Sequence, residues 1–291
     1  MSILSDPEIV DVLKTKFVCA AVDQHDHRKR KDADGELFAK ILKQAGRGLD
    51  GQSQGYYLIS PDGTLLAFSN AVSGDAMKRL IATALKKFDP KAEVAAPKGG
   101  EKDPRFDYKP PADRLVVSVT AKVLGGYEKT AKGAASIYQD ALGLDHLWVR
   151  KDEAAVLVRG EFPDSLKSRL VQFHLVDNTR GEPPFWRADE VRKAEFALKD
   201  GRLTGTVHLE TKAGDRGFRA DVVGFVAAEK GTVTRFDVVV KGEFWGEGTF
   251  TRNAPKGKFP FAVAFTLTPQ DDPGRNAPPG AARGNPAGYL R

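Results

Sequence analysis

The spacing of apolar residues in the first 88 positions predicts helices that alternate with strands. Residues 5–15 carry apolar side chains at helical spacing, with Ser5 placed to cap the helix and Pro7 in its first turn. The next run, 16–23, is almost continuously apolar and has the length of a strand covered on both faces. The pattern then predicts a helix over 33–45, a hairpin over 55–70 around Pro61-Asp62-Gly63, and a helix over 73–88 capped by Ser73 that buries Met77, Leu80, Ile81, Ala84 and Leu85.

The second half of the chain is dominated by long segments in which apolar and polar residues alternate. A strand over 114–124 and helices over 134–142 and 163–175 come first. The alternating segments follow, at 191–199, 202–211, 216–228, 232–245 and 259–267, separated by turns at Asp200-Gly201, Ala213-Gly214-Asp215 and Lys230-Gly231. This order predicts an antiparallel meander in an α+β domain. The tail over 271–291 is rich in Gly, Pro and Ala and is expected to lie extended over the surface.

Residues 89–112 separate these two patterns. They lack periodicity and are rich in Pro, Gly and Lys, which is typical of an interdomain linker. The predicted organisation is therefore an N-terminal domain over 1–88, a linker over 89–112 and an antiparallel β-rich α+β domain over 113–291.

The register of one strand pair follows from the position of its apolar residues. If Gly231 forms a bulge that sets Ala228 opposite Thr232, the apolar residues of 218–226 share one face with those of 236–240. We expect this face to be the domain core, packed against the helices at 134–142 and 164–173. The opposite face carries the apolar residues Val223, Phe225 and Val239 among its charges, which predicts that it is partly covered.

Charge and composition exclude several classes of protein. The 291 residues have a net charge of +6, but 45 basic residues are mixed with 39 acidic ones, so we expect no nucleic-acid surface. No apolar run has the length of a membrane span, and the amphipathic N-terminus is unlike a signal peptide. The expected location is cytoplasmic for the sequence as written, and extracytoplasmic if the true N-terminus lies upstream.

The N-terminal segment resembles a known fold family. The residues SILSDPEIVDVLKTKFVCAAVD, over 2–23, resemble the segment S-F-x-D-P-E-V-x-x-x-L-N-x-x-F-V-x-V-x-V-D of thioredoxin-like domains related to the spermatogenesis-associated thioredoxin-like family. The residues YYLISPDGTLL, over 56–66, resemble the family hairpin V-F-L-x-P-D-G-K. The resemblance covers about residues 2–88 and implies an α/β thioredoxin-like domain; 113–291 resemble no family that we recognise.

Two features of that family are missing from this chain. In the family, a CxxC motif stands just before the DPEV segment, where a helix N-terminus lowers the thiol pKa. In this sequence Met1 occupies that point, and the first strand and both active cysteines are absent. A proline faces the active site in the family, whereas the aligned position here is near Gln54. Without the two cysteines and the proline, dithiol exchange is not expected.

The loop after the 16–23 run contains the first candidate site. In the resemblance, this loop opens at the edge that holds the family's active site, so Asp23, Gln24, His25, His27 and Gln54 are candidate binding residues. His25 and His27 are also weak candidates for zinc or copper ligands, although a solvated loop is the favoured interpretation and no metal is predicted. Cys19, surrounded by apolar residues, is expected to be buried and inert.

A polar loop in the second domain is a further candidate site. Arg180, Glu182 and Arg187 flank a corner in which Trp186 is expected to be packed, and the three charged residues are candidates for lining a groove. The sequence contains no G-x-S-x-G elbow, P-loop or G-x-G-x-x-G motif, so no cofactor is predicted.

These observations favour a redox-inactive thioredoxin-like protein that acts as a module for binding a protein, a peptide or another ligand, rather than as an enzyme. Two alternatives remain open at this point. One is a protein related to thiol-disulfide oxidoreductases and truncated before its CxxC motif. The other is a metal-binding protein that uses the loop of His25 and His27.

Overall fold

The chain divides into two separately packed units, residues 1–108 and 109–291. A computed structural model of the chain describes residues 6–70, 73–91, 101–103, 111, 113–128, 134–283 and 285–291, with only the backbone at 134–136. Most of the predicted linker therefore lies outside the described residues. Of its described residues, 89–91, 101–103 and 111, those at 101–103 pack on the first unit. There the Asp103 amide donates to Asp32 Oδ2 over 2.8 Å and the Lys31 amide donates to Asp103 Oδ2 over 3.3 Å.

Four helices and one hairpin form the first unit. They are α1 Pro7–Lys16, α2 Gln24–His27, α3 Ala33–Gln44, β1 Tyr56–Ile59, β2 Leu65–Ser69 and α4 Gly74–Lys87, with β1 and β2 antiparallel. Asp6 caps α1 by accepting from the Glu8 amide over 3.0 Å, and Ser5, the predicted cap, lies outside the described residues. Ser73 caps α4 as predicted, accepting from the Ala76 amide over 3.3 Å.

The core of the first unit lies between α1, α4 and the hairpin. It contains the buried residues Ile9, Leu58, Ala67, Met77, Leu80, Ile81 and Ala84. The predicted buried face of α4 is confirmed except at Leu85, which is 41 % exposed. At 100° per residue Leu85 is rotated away from the stripe that contains Leu80, Ile81 and Ala84.

The strand predicted over 16–23 is wrong. α1 continues to Lys16, and residues 17–23 have no regular structure. Val18 is fully exposed, and Cys19 is exposed rather than buried. A strand requires a neighbour that pairs with its backbone, and in the described part of the first unit β1 and β2 pair only with each other.

The second unit is a seven-stranded antiparallel sheet with helices. Its elements are β3 Leu115–Val123, α5 Ala134–Asp140, β4 Gly143–Val149, α6 Lys151–Val158, α7 Asp164–Arg169, a π-helical turn at Leu170–His174, β5 Val191–Lys199, β6 Arg202–Glu210, β7 Gly217–Glu229, β8 Thr232–Trp245, β9 Lys258–Leu267 and α8 Pro286–Tyr289. The strand order is β4-β3-β9-β8-β7-β6-β5. The meander is confirmed, whereas β4 and α6 are too short and too mixed in pattern to have been predicted.

The inward face of this sheet forms the core of the second unit. Val222, Val240 and Val263 pair across three strands, are almost fully buried and represent the apolar face that was predicted. Helix α6 packs on β7 and β8, and the turn at Leu170–His174 packs on β5. Helix α5, expected to cover the meander, packs on β3 instead.

The hairpin between β7 and β8 has a different register from the predicted one. Lys230 and Gly231 both have positive φ, 50° and 79°, and form a two-residue turn that sets Glu229 opposite Thr232. The bulge lies one pair further on, between Ala227 and Ala228, so Ala228 faces Val233. The bulge shifts the pairing by one residue, so the apolar residues of β7 and β8 lie on the same face, as predicted. The individual residues that pair are different from the predicted ones.

The C-terminal tail is folded back rather than extended. It contains 3₁₀ turns at Pro273–Asn276 and Gly280–Ala282 followed by α8, and both Ala282 and Tyr289 are buried. Within the described part of the chain, no helix has the length and apolar character needed to cross a membrane.

Candidate functional site

The loop at Asp23–His27 forms the short helix α2, and Asp23 is its cap. Asp23 Oδ1 accepts from the amides of His25 and Asp26 over 2.8 and 3.4 Å. Asx capping of this kind fixes the loop geometry and occupies the carboxylate. The role of Asp23 in the structure is therefore to shape the loop.

Gln24 joins this loop to the loop that precedes the hairpin. The buried Ser53 hydroxyl donates to Gln24 Oε1 over 2.6 Å. Arg28 donates to Ser53 Oγ over 2.7 Å and also to the Gly51 carbonyl. The two loops are therefore in contact, and Arg28 and Ser53 are contact residues that the sequence did not single out.

Gln54 belongs to the same edge, where Arg47 organises the loop. Arg47 Nη1 donates to the carbonyls of Gln52 and Gln54 over 2.6 and 3.3 Å. Its guanidinium carbon lies 4.4 Å from the centre of the Phe68 ring, and its Nη2 donates to Asn70 Oδ1 over 3.1 Å. The Gln54 side chain is exposed, so its surface is accessible while its backbone is held.

The two histidines of the loop make separate contacts. His27 Nδ1 donates to the Asp23 carbonyl over 2.9 Å, and its ring centre lies 5.6 Å from that of Phe38. His25 Nε2 lies 2.5 Å from Lys29 Nζ, a cation that disfavours a metal ion there. Among the residues with described positions, no three His, Cys, Asp or Glu side chains are arranged to hold a metal ion.

An exposed apolar segment leads directly into this loop. Residues 18–22 are all exposed, including Val18 and Val22, and Phe17 anchors the start of the segment by packing against the core. Their backbone groups make no hydrogen bond to another described residue. Unpaired backbone groups beside exposed apolar side chains characterise an edge that accepts a strand.

Arg180 does not line a groove in the second unit. Its side chain is fully buried, and Nη1 forms an ion pair with Asp177 Oδ2 over 2.5 Å. Its Nε donates to the Thr251 carbonyl over 3.1 Å, and Nη1 lies 3.3 Å from the Tyr127 hydroxyl. The sequence showed only a charged residue in a polar loop, whereas the fold uses Arg180 to fasten two loops together.

Glu182 and Arg187 are exposed, and the corner between them is packed as predicted. Trp186 is buried, its Nε1 donates to the Leu175 carbonyl over 2.7 Å, and the Arg216 guanidinium carbon lies 3.9 Å from its ring centre. Burial lowers the pKa of Arg216. Arg187 forms an ion pair with Asp189 over 3.2 Å, so these candidates do not converge on one site.

A buried polar chain that sequence reasoning missed links the tail to the sheet. The Tyr289 hydroxyl lies 2.8 Å from His174 Nε2, and His174 Nδ1 lies 3.1 Å from Asp145 Oδ2 in bent geometry. Burial raises the pKa of Tyr289 well above its usual value. Burial also acts to raise the pKa of Asp145, but the neighbouring His174 ring and the amides of Gly280 and His146, which donate to the carboxylate, outweigh it, so the pKa is lowered. The His174 side chain has no exposed surface, so the series of contacts from Tyr289 through His174 to Asp145 has a structural role.

The outward face of the seven-stranded sheet is a second candidate surface. One row across it has no charged residue and no buried residue, and we call it the uncharged row: Ala197, Thr204, Val223, Val239, Ala264, Thr120 and Leu144, one from each of β5, β6, β7, β8, β9, β3 and β4. Leu144 is 71 % exposed, Val223 48 % and Val239 44 %. Charged residues flank the row, and some line a shallow depression formed by Thr206, His208, Arg219, Asp221, Lys241 and Glu243.

Comparisons of this chain with known protein families, with curated proteins and with solved structures find no match.

Proposed function

We propose that this protein is a redox-inactive, thioredoxin-like binding protein that recognises an extended segment of a partner protein through residues 18–22. The observation that carries the proposal is the exposure of this apolar segment, whose backbone groups pair with none of the residues that the structure describes. A partner strand laid against it satisfies the backbone donors and acceptors and covers the apolar side chains at the same time.

The geometry at the two ends of the segment suits such a partner. The backbone is extended at Phe17 and at Asp23, and Phe17 packs against the core while Asp23 is fixed by its cap to α2. A segment held at both ends loses less conformational freedom on binding than a free one. In an extended segment Val18, Ala20 and Val22 face one side, so a partner with β-branched or aromatic residues at alternate positions is favoured.

The chemistry of this segment supports binding rather than dithiol exchange. The sequence contains a single cysteine, Cys19, and exchange within one chain requires two thiols. The nearby loops are occupied by mutual hydrogen bonds between Gln24, Ser53 and Arg28. They provide a border for a bound strand.

Selection from a displayed library of random peptides, with the full chain as target, tests the proposal. The recovered peptides are synthesised and their affinity is measured by calorimetry. Successive backbone N–H groups of an extended segment point to opposite edges, so Cys19→Pro and Ala20→Pro each remove a donor from a different edge. One of the two is expected to weaken binding by about tenfold or more, since a hydrogen bond and the strand contact beside it are lost.

Cys19→Ala and Ala20→Gly are the matched controls, because both keep the backbone donor and should bind nearly as tightly as the native chain. The proposal fails if the library yields no peptide, or if both proline variants bind the recovered peptides like their controls.

A further inference from the structure

Outward-pointing residues on the two sides of the uncharged row have opposite charges on two of the strands. On each strand the residues two positions before and two positions after the row also point outward. On β8 these residues are Asp237 and Lys241 around Val239, and on β5 they are Glu195 and Lys199 around Ala197. On these two strands the row is therefore flanked by one acid and one base.

From this pattern we infer that the outward face is the contact surface between two copies of this chain, related by a two-fold axis that runs along the uncharged row. This inference goes beyond the proposed strand recognition and does not depend on it. A rotation of 180° about such an axis lays each strand antiparallel on its own copy, which is the aligned packing of two sheets.

The charges are complementary in this arrangement. Lys241 faces Asp237 of the second copy, and one step further out Glu243 faces Arg235. On β5, Glu195 faces Lys199 of the second copy. Each pair occurs twice by symmetry.

The remaining strands add no repulsion. Asp221 faces Phe225 of the second copy on β7, Thr206 faces Arg202 on β6, and Lys122 faces Ser118 on β3. No acid meets an acid and no base meets a base. Complementary charges of this kind specify the register of an interface and suppress other registers.

The apolar residues of the row are covered by the same rotation. Val223 and Val239 pair with each other in the sheet and meet their own copies across the axis. Leu144, on the edge strand β4, is the most exposed apolar residue of the row, and it is covered because β4 also faces its own copy. Exposed or partly exposed apolar side chains on five of the seven strands of one row are unusual on a monomer and typical of an interface.

Other orientations of the axis fit less well. An axis along β8 sets Lys241 against its own copy and Asp237 against its own copy, which is repulsive. An axis between β7 and β8 sets Lys241 against Asp221, but it places β4 beyond the partner's edge strand and leaves Leu144 uncovered.

Sedimentation of the full chain over a range of concentrations tests the inference. The native chain is expected to be a dimer that dissociates on dilution. Asp237→Lys and Lys241→Asp alone each place like charges face to face, and each should raise the dimer dissociation constant by at least about tenfold. An equimolar mixture of the two variants should recover the dimer as a heterodimer, because each altered side chain then meets an opposite charge.

Glu161→Lys, an exposed position in the loop after α6, is the matched charge-reversal control and should sediment like the native chain. Circular dichroism and thermal melting confirm that each variant is folded. A native chain that is monomeric at every soluble concentration, as expected if another part of the chain covers this face, overturns the inference. A dimer that neither charge reversal weakens also overturns it. If Lys241→Asp forms the heterodimer with Asp221→Lys instead of Asp237→Lys, the two-fold axis does not run along the uncharged row.

Discussion

The His174 imidazole and the Tyr289 phenol meet edge to face with 5.8 Å between their ring centres, and His174 Nε2 lies 2.8 Å from the Tyr289 hydroxyl. The Trp148 amide on edge strand β4 donates to the same hydroxyl over 3.4 Å. One phenol thus connects the C-terminal tail, the π-helical turn and the edge of the sheet. Among the described strands, β4 pairs only with β3, so the tail covers the other edge of β4.

Removal of the Tyr289 hydroxyl should destabilise the second unit. In Tyr289→Phe the buried His174 Nε2 loses the hydrogen bond to the phenol, at a cost of about 1–3 kcal/mol in the free energy of unfolding. Urea unfolding monitored by tryptophan fluorescence measures this change. Tyr138→Phe, on the short helix α5, is the control and should change stability little; equal effects of the two variants would contradict the role given to Tyr289.

Acid should weaken the second unit through Asp145. The pKa of this partly buried carboxyl is lowered from 3.8 in the folded chain. The unfolded state therefore binds a proton at higher pH than the folded state does. The stability from ionised Asp145 is present above pH 3.8 and is lost as the pH falls below it toward the lowered pKa.

Asp145→Asn is expected to flatten this acid limb of the stability curve, measured as unfolding free energy against pH. Each proton taken up on unfolding contributes a slope of about 1.4 kcal/mol per pH unit, and this contribution should disappear in the variant. Asp140→Asn is the control and should keep the native slope. An unchanged slope in Asp145→Asn would show that other carboxyls govern the acid limb.

Removing one partner of the buried ion pair of Glu153 and Arg169 should lower the free energy of unfolding more than replacing both partners by apolar residues. The two side chains are 1 % and 0 % exposed, and Arg169 Nη2 lies 2.7 Å from Glu153 Oε1. Arg169→Ala removes the buried cation and leaves the Glu153 carboxylate with only the partly exposed Arg150 guanidinium, 3.5 Å away, so it is expected to cost about 3–5 kcal/mol. The double variant Glu153→Leu, Arg169→Met should be more stable than Arg169→Ala, as measured by chemical unfolding, because it leaves no unpaired charge.

Cys19 should react rapidly with thiol reagents in the native state. Its side chain is exposed, so the labelling rate of the folded chain is expected to approach that of the urea-unfolded chain. Cys19→Ser should leave thermal stability nearly unchanged, since no apolar contact of the core is lost. Slow labelling that accelerates only in urea would restore the burial that the sequence predicted.

Local signals in the sequence determined much of the secondary structure. The five long strands have nearly the predicted limits, because alternation with period two and turns such as Asp200-Gly201 act over a few residues. The capping of α4 by Ser73 is equally local. The contact between Gln24 and Ser53 joins two of the loops that were named as candidates, but the strand expected to place them there is absent from the described structure.

Tertiary structure decided which segment meets which. Residues 17–22 have a strand's composition but no neighbour in the described structure, and composition cannot supply one. Arg180 was expected to line a groove, but it is buried and bonded to Asp177 and Thr251. Tyr289 is buried in a tail that was expected to lie extended over the surface. Periodicity and turn formation depend on residues that are adjacent in the sequence. The pairing of strand edges and the burial of charged side chains depend on residues far apart in the chain, and these come together only through the packing of the whole unit.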